Sequence, residues 1–491
     1  MLIMVLSACL PPILSDTGVA PDAGDTADTS DSGDPIDGDD DGDGFVADDC
    51  DNADPGSHPG AQELLDFKDQ DCDDIGVETV TDHAGAVSHT GTGFILSIAT
   101  FEEMGAGGPE VAAGIIRDGV GSVQVARIDD VRGDLTGGTR LTHSDAASFG
   151  FDLLAQDLDA DGTIDLAIGD PAMGAYIFVD GRLLGPAGAS LSTDDFPRLD
   201  DRVAGGAVGF ASALIGETVA ASYSGVAGTS VFLFDAESLL TTAQSSLFGA
   251  GVIGSTPSTA FGANLAGVPV DDDGVADLVV GAPAGGGLKG QVFIFDGTVV
   301  SNGSPVLSEP DADCTLTGEK LTIRLGGGAL GVGDADDDGH DDLLLASYAT
   351  GTGAEERTWY FVPGGAYCGT RSIENAAVST IRGIRPYVLD GTVPVGFLSA
   401  TSANLDGVPG NELIVGSPSE TPGKVYVFAG ATYGAAGSYD LSHASAGLVG
   451  QSADDLFGAV VGVRVSAGDG ALLVSAPGQE QGTFWSVDLA F

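Results

Sequence analysis

Basic residues are scarce. Lys and Arg together number 17 in 491 residues, against 73 Asp and Glu, for a formal net charge of −56. This balance argues against nucleic-acid binding, because phosphates need Lys and Arg to replace their counterions. It disfavours direct adsorption to an anionic membrane surface for the same reason. No stretch approaches the ~20 apolar residues of a membrane-spanning helix. The histidines (His58, His83, His89, His143, His340 and His443) make no zinc-type pair at helical spacing. No G-x-S-x-G elbow sits on a strand-turn-helix pattern, and Gly-rich stretches at 285–287 and 326–328 lack a P-loop lysine. With these groups missing, the chain is not expected to be an enzyme. Strong helix formers such as Lys and Glu are also few.

What is abundant is glycine (77) and apolar residues (43%), with Val, Ala, Leu and Phe in short runs between Gly-rich turns. From about residue 83 onward these runs repeat. The clearest copy has Phe149-Gly150, an acidic loop 157–165, Gly169-Asp170-Pro171 and a strand-like run to Gly181. Further copies begin at Phe261-Gly262, Leu325-Gly326 and Gly396-Phe397, and weaker ones at Phe94, Phe210 and Phe457-Gly458. Seven units, each with three or four short strands, predict an all-β, seven-bladed β-propeller, in which radial stacking buries sheets that cannot stand alone. An open solenoid is the competing arrangement.

Part of the acidic excess has metal-ligand spacing. Ca2+ takes six to eight oxygens at about 2.3–2.6 Å, and a loop with Asp at positions 1, 3 and 5, Gly at 6, a carbonyl at 7 and a carboxylate at 9 can supply them. Asp157, Asp159, Asp161, the Thr163 carbonyl and Asp165 fit in full, as do Asp334, Asp336, Asp338, the His340 carbonyl and Asp342. A third loop starts with Pro269 and keeps Asp271, Asp273 and Asp277; a fourth has Asn404, Asp406 and Glu412, with Val408 at position 5. Closely spaced carboxylates repel one another unless a cation sits among them. The remaining acids have no such spacing and read as solvated surface.

The repeats resemble FG-GAP repeats, the blades of the integrin α-subunit propeller. The likeness rests on Phe149-Gly150, Phe261-Gly262 and Phe457-Gly458 with the later Gly169-Asp170-Pro171, Gly281-Ala282-Pro283, Gly416-Ser417-Pro418 and Ser475-Ala476-Pro477. It implies calcium loops that stiffen blades on one face and ligand recognition by loops on the other. Segment 37–75 resembles the acidic, Cys-containing motif of MopE-type bacterial surface proteins and, more distantly, thrombospondin type 3 repeats, which implies calcium there too. Asp39, Asp41 and Asp43 with Gly44 form one loop of this motif, and Asp49, Asp51, Asp71 and Asp73 flank Cys50 and Cys72.

The five cysteines need two fates. Leu6-Ser7-Ala8-Cys9 resembles the lipobox of bacterial lipoprotein signal peptides, so residues 1–9 are expected to be a signal peptide lipidated at Cys9. The other four can form two disulfides outside the cytoplasm. A Cys50–Cys72 bond would join the acidic runs, and Cys314 with Cys368 would staple neighbouring units. Residues 10–36, rich in Asp, Thr, Ser, Gly and Pro, read as a disordered tether, and 76–491 as the propeller. The expected protein is a secreted, monomeric surface lipoprotein of a bacterium. It would bind calcium, touch the membrane only through its lipid, and recognise a protein or glycan ligand. A structural envelope component without a discrete ligand and an extracellular hydrolase are the alternatives.

Overall fold

The computed structural model describes parts of residues 41–488. Residues 1–40 and 489–491 lie outside the described residues, as do internal stretches of which the longest are 62–69, 102–110, 128–137, 242–250, 348–356 and 385–398, and single positions that include 43, 272 and 406. The expectations for the signal peptide, Cys9, the tether, Asp39, Asp43, Asp406 and Cys368 therefore fall outside what is described.

The apolar runs become the second strand of each repeat: Val111–Arg117, Asp165–Asp170, Thr218–Gly225, Asp277–Ala282, Asp342–Ser347, Glu412–Ser417 and Asp469–Ala476. These runs lack polar alternation because both strand faces are buried. Leu278 and Val280 pack toward the preceding blade while Val279 packs toward the following one. Leu344 and Ala346 face the next blade, and Leu343 and Leu345 the previous one.

The result is a seven-bladed β-propeller. Seven sheets each contain four strands, and five of the sheets add a fifth. Seven apolar clusters fill the seven interfaces between neighbouring blades, the last joining Ala471, Leu473 and Phe484 of blade 7 to Ile95, Val111 and Ala113 of blade 1. The ring is thus closed rather than an open solenoid. Among the described residues no helix is long and apolar enough to cross a membrane.

The N-terminal side of the propeller closes the ring. Val87–Thr90 pairs antiparallel with Thr483–Asp488 and forms the outer strand of blade 7. The fifth strands follow one rule: a short segment ahead of each blade's outer strand runs parallel to the outer strand of the blade before. Val306–Ser308 lies on Gly251–Gly254, Gly369–Ser372 on Cys314–Thr317, and Gly437–Asp440 on Ser379–Ile384. Glu78–Thr79 lies on Ala446–Val449 in the same way, so this segment and Val87–Thr90 together behave as the missing part of blade 7. These outer segments cover edges that would otherwise present unpaired backbone groups.

The recurring glycines mark contacts between blades. A Cβ on Gly416 would lie 1.9 Å from the carbonyl oxygen of Gly458 in the next blade, and one on Gly281 would lie 2.2 Å from that of Gly326. Gly114 meets Gly150, and Gly169 meets Gly209, in the same relation. Backbone stands directly on backbone at these positions, with no flexible side chain able to give way. Gly416→Ala is therefore expected to cost about 2–3 kcal/mol by overpacking. Gly254→Ala, whose nearest neighbour would be 3.8 Å away, is expected to be neutral or slightly stabilising. Urea midpoints of the two variants test the contrast.

Candidate functional site: the acidic loops

Each acidic loop joins the first strand of a blade to the second. The loop of blade 2 runs between Asp152–Gln156 and Asp165–Asp170, that of blade 4 between Asn264–Val268 and Asp277–Ala282, that of blade 5 between Leu325–Gly333 and Asp342–Ser347, and that of blade 6 between Ala400–Ala403 and Glu412–Ser417. First strands share one direction around a propeller. The four loops therefore emerge on one face, beside the turns that follow the third strands.

The carboxylate at position 9 has the same work in all four. One Asp165 oxygen accepts the Leu158 N–H at 2.9 Å and the other accepts the Gly181 N–H at 2.8 Å. Asp277 does this with Val270 (3.0 Å) and Gly297 (2.9 Å), and Asp342 with Ala335 (2.8 Å) and Gly364 (2.9 Å). In blade 6, Glu412 takes Leu405 at 2.7 Å and Gly430 at 3.5 Å. All four acids are buried. Each ties the start of its loop to the turn after the third strand, so position 9 is first a clamp on backbone. Burial pushes the Asp165 and Asp342 carboxyls up to about 6, against the pull of those N–H groups. A folded value above the ordinary one means proton uptake on folding. Their contribution to stability is full below about pH 4 and is lost as pH rises through about 6. At neutral pH the ionised clamp is a desolvated anion that a nearby cation would relieve.

The loops differ in what else they gather. In blade 5, oxygens of Asp334, Asp336 and Asp342 lie within 4.8 Å of one another, and in blade 2 those of Asp157, Asp159 and Asp165 do the same. Oxygens around one Ca2+ at about 2.3–2.6 Å span no more than about 5 Å, so both trios fit one ion. In blade 5, Oδ1 of Asp336 is buried with no hydrogen-bond partner among the described residues. Burial, then the charge of Asp338, raises the Asp336 carboxyl above the usual range.

The position-5 acids stand apart from these trios. Asp161 accepts the Thr163 N–H (2.8 Å) and hydroxyl (2.5 Å), and these bonds lower its pKa. Asp338 accepts the His340 N–H at 3.0 Å and faces the His340 ring at 3.1 Å. In blade 4, Asp271, Asp273 and Asp277 are not gathered into such a trio; Asp271 and Asp273 accept loop N–H groups instead. In blade 6 the Asn404 amide braces its own loop, accepting from Gly407 N–H at 2.7 Å and donating to the Val408 carbonyl at 2.6 Å.

Blade 2 also carries its own cation. The Arg182 guanidinium lies 3.2 Å from Asp159, 3.1 Å from Asp161 and 2.6 Å from Asp180. Reading the loop by spacing alone missed Arg182, which arrives from the turn after the third strand. It also missed Gly181, Gly297, Gly364 and Gly430, although a glycine recurs at that register in every strong copy. Backbone fits closely there: a Cβ on Gly297 would sit 2.1 Å from the Ala276 carbonyl oxygen.

In the N-terminal motif, Cys50 and Cys72 are disulfide-bonded with Cα atoms 5.4 Å apart, and the Phe45 and His58 rings stack at 4.7 Å between centroids. Asp41 is half-buried. Cys314 is also disulfide-bonded, in an outer strand whose parallel neighbour begins at Gly369.

No family model matches the chain. Among solved structures it is similar to the WD40 domain of Toxoplasma gondii coronin, with 10% identity over 83% of this chain and 86% of that one and a TM-score of 0.43. It is also similar to the Dos1 propeller, with 8% identity over 82% and 86% and a TM-score of 0.43.

The clamp and ligand roles separate by mutation. Asp342→Ala strands the buried Ala335 N–H and the half-buried Gly364 N–H and is expected to cost about 2–4 kcal/mol even in chelator. Asp334→Ala, whose oxygens meet N–H groups of exposed residues Asp338 and Gly339, is expected to cost about 1 kcal/mol or less in chelator. Urea unfolding of both variants in excess chelator measures the difference.

Proposed function

We propose that this chain is a calcium-stiffened recognition propeller of the FG-GAP, integrin-α-like kind, acting outside the cytoplasm and without catalytic activity. The observation that carries the calcium reading is the blade 5 trio: three carboxylates in one ion's reach, with the buried Asp336 Oδ1 lacking a partner among the described residues. The FG-GAP reading is supported by the inter-blade contacts of Gly150, Gly326 and Gly458, which give the Gly motifs a shared mechanical reason. Disulfide bonding at Cys50–Cys72 agrees with an oxidising compartment. A lipid on Cys9 would then tether the propeller to a bacterial surface through residues 10–36, leaving a protein or glycan as ligand. A structural envelope role is the second reading, and a saturable partner in an immobilised-ligand screen separates the two.

In this reading calcium does in blade 5 what Arg182 does in blade 2. Asp334, Asp336 and Asp342 would hold the ion, which offsets the cost of the ionised, buried clamp. Asp157, Asp159 and Asp165 would hold a second ion only where it displaces the guanidinium. The N-terminal motif, with Asp41, would take calcium separately.

Thermal unfolding of the full chain with calcium and with excess chelator tests this. Calcium is expected to raise the midpoint by several degrees, and Asp336→Asn to remove most of that rise; an equal rise in the variant, or none in the wild type, defeats the proposal. Arg182→Ala is expected to strengthen calcium binding at blade 2 at least tenfold, read as a tighter class of site in calorimetry. Unchanged calorimetry would mean that the arginine does not guard that loop.

A further inference from the structure

The propeller axis holds a recess of about 270 Å3 lined by the inner strands of six blades. It lies away from the acidic loops and plays no part in their chemistry. Its volume is just below the usual range for drug-sized ligands, which sets the scale of an occupant at a few heavy atoms to about a dozen.

The polar inventory of the recess is one-sided. Asp152 is the one ionisable group among the described lining residues. Its Oδ2 accepts two hydroxyls, from Ser212 at 2.6 Å and Tyr176 at 2.8 Å, whereas its Oδ1 has no partner among the described residues. Of the other lining hydroxyls, Ser97 is spent on the Gly150 carbonyl and Thr100 on the Val463 carbonyl, each at 2.7 Å, while Thr401 adds a neutral hydroxyl to the wall. Asn264 is only 6% exposed, and its Oδ1 is sealed from the recess, without a partner among the described residues. Among the described lining residues the walls thus offer one open carboxylate oxygen and a negative charge, with no cation.

The remaining surface is apolar and aromatic. Phe151 and Phe210 meet edge to face with centroids 6.1 Å apart, and Phe210 is 37% exposed, leaving ring surface open to a ligand. An aromatic ring beside a carboxylate favours an organic cation. A bare divalent ion is a poor match, since it needs six or more oxygens and the described lining offers one carboxylate.

We propose that the axial recess binds a primary ammonium group on a short apolar stem, held by the free oxygen of Asp152, with Phe210 against the stem. Burial pushes the Asp152 carboxyl up to about 6 despite its two hydroxyl donors. The group is still mostly ionised at neutral pH, but as a poorly solvated anion that gains from a cationic partner. The ammonium can belong to a free amine or to a lysine side chain presented by a protein.

The test uses the full chain in saturating calcium, with n-butylammonium, 1-butanol as its neutral counterpart, and a short acetylated and amidated peptide with one central lysine. Calorimetry is expected to show saturable binding of n-butylammonium in the millimolar range and no binding of butanol. Asp152→Asn is expected to weaken the amine at least tenfold while retaining the wild-type response to calcium. Binding of the peptide at least as tight as that of n-butylammonium assigns the site to a protein's lysine, and binding of the free amine alone assigns it to a small molecule. Equal binding of butanol, equal binding to Asp152→Asn, or no binding of either amine probe overturns the proposal. Should Asp152→Asn fail to fold, Phe210→Leu at the exposed wall replaces it: a several-fold loss supports the site, and an unchanged constant overturns it. None of these outcomes depends on the acidic loops, because the calcium response is read separately in the same samples.

Discussion

The ring depends on backbone approaching backbone between neighbouring blades. At Gly416 and Gly458, Gly281 and Gly326, and Gly114 and Gly150, one blade's second strand abuts the segment that opens the next blade's first strand, closer than a methyl group allows. The glycine that opens a blade serves two partners at once. Its N–H bonds to its own second strand, Gly150 to Gly169 at 3.0 Å and Gly262 to Gly281 at 2.9 Å. In Gly150 the carbonyl then rests on the preceding blade and takes the Ser97 hydroxyl. These contacts set the blade spacing, and that spacing lets fully apolar second strands bury both faces.

A second constraint acts within blades. A loop of eight residues between two strands, loaded with acid, has little reason to hold one shape, since its carboxylates repel. The buried position-9 acid supplies that reason by holding the loop's start and the turn after the third strand together. The device does not depend on aspartate: Glu412 does it with a longer arm, and its Gly430 bond stretches to 3.5 Å. Nor does it depend on the other acids, since the blade 6 loop closes with the Asn404 amide. The clamp is therefore common to all four loops, and the cation-sized trio is an addition in two of them.

Much of this was legible in the sequence. Seven units were countable because Phe-Gly pairs, acidic loops and runs such as Leu278, Val279 and Val280 recur in register, and a two-faced buried strand leaves that signature. The closing strand at Val87–Thr90 was not, because its partner, Thr483–Asp488, lies almost the whole chain away and a four-residue strand has no period to detect. At the site, spacing identified Asp334, Asp336 and Asp342 as neighbours. It could not tell that Asp342 is sealed beneath the loop while Asp338 turns to His340, because alternation fixes proximity along a loop and not which oxygens the backbone has already claimed. Arg182 was invisible for a related reason: 17 residues of chain separate it from Asp165, and only the fold brings it back.

The charge balance ties these levels together. With 73 acids and 17 bases, the chain cannot neutralise itself by ion pairs, and its few cations matter by position. Arg182 is 56% exposed yet reaches three carboxylates, so solvent screens each pair and their sum, not any one bond, orders the loop. At blade 5 no arginine pairs with the loop among the described residues, and there an acid oxygen is left buried and without a partner among them. Two loops with nearly the same sequence thus stand in different electrostatic states. The axial recess repeats the situation in another form: a single carboxylate, braced by hydroxyls on one oxygen and open on the other, in walls whose described residues supply no positive charge. In a protein this acidic, the informative positions are those where a carboxylate has been taken out of water without an internal partner.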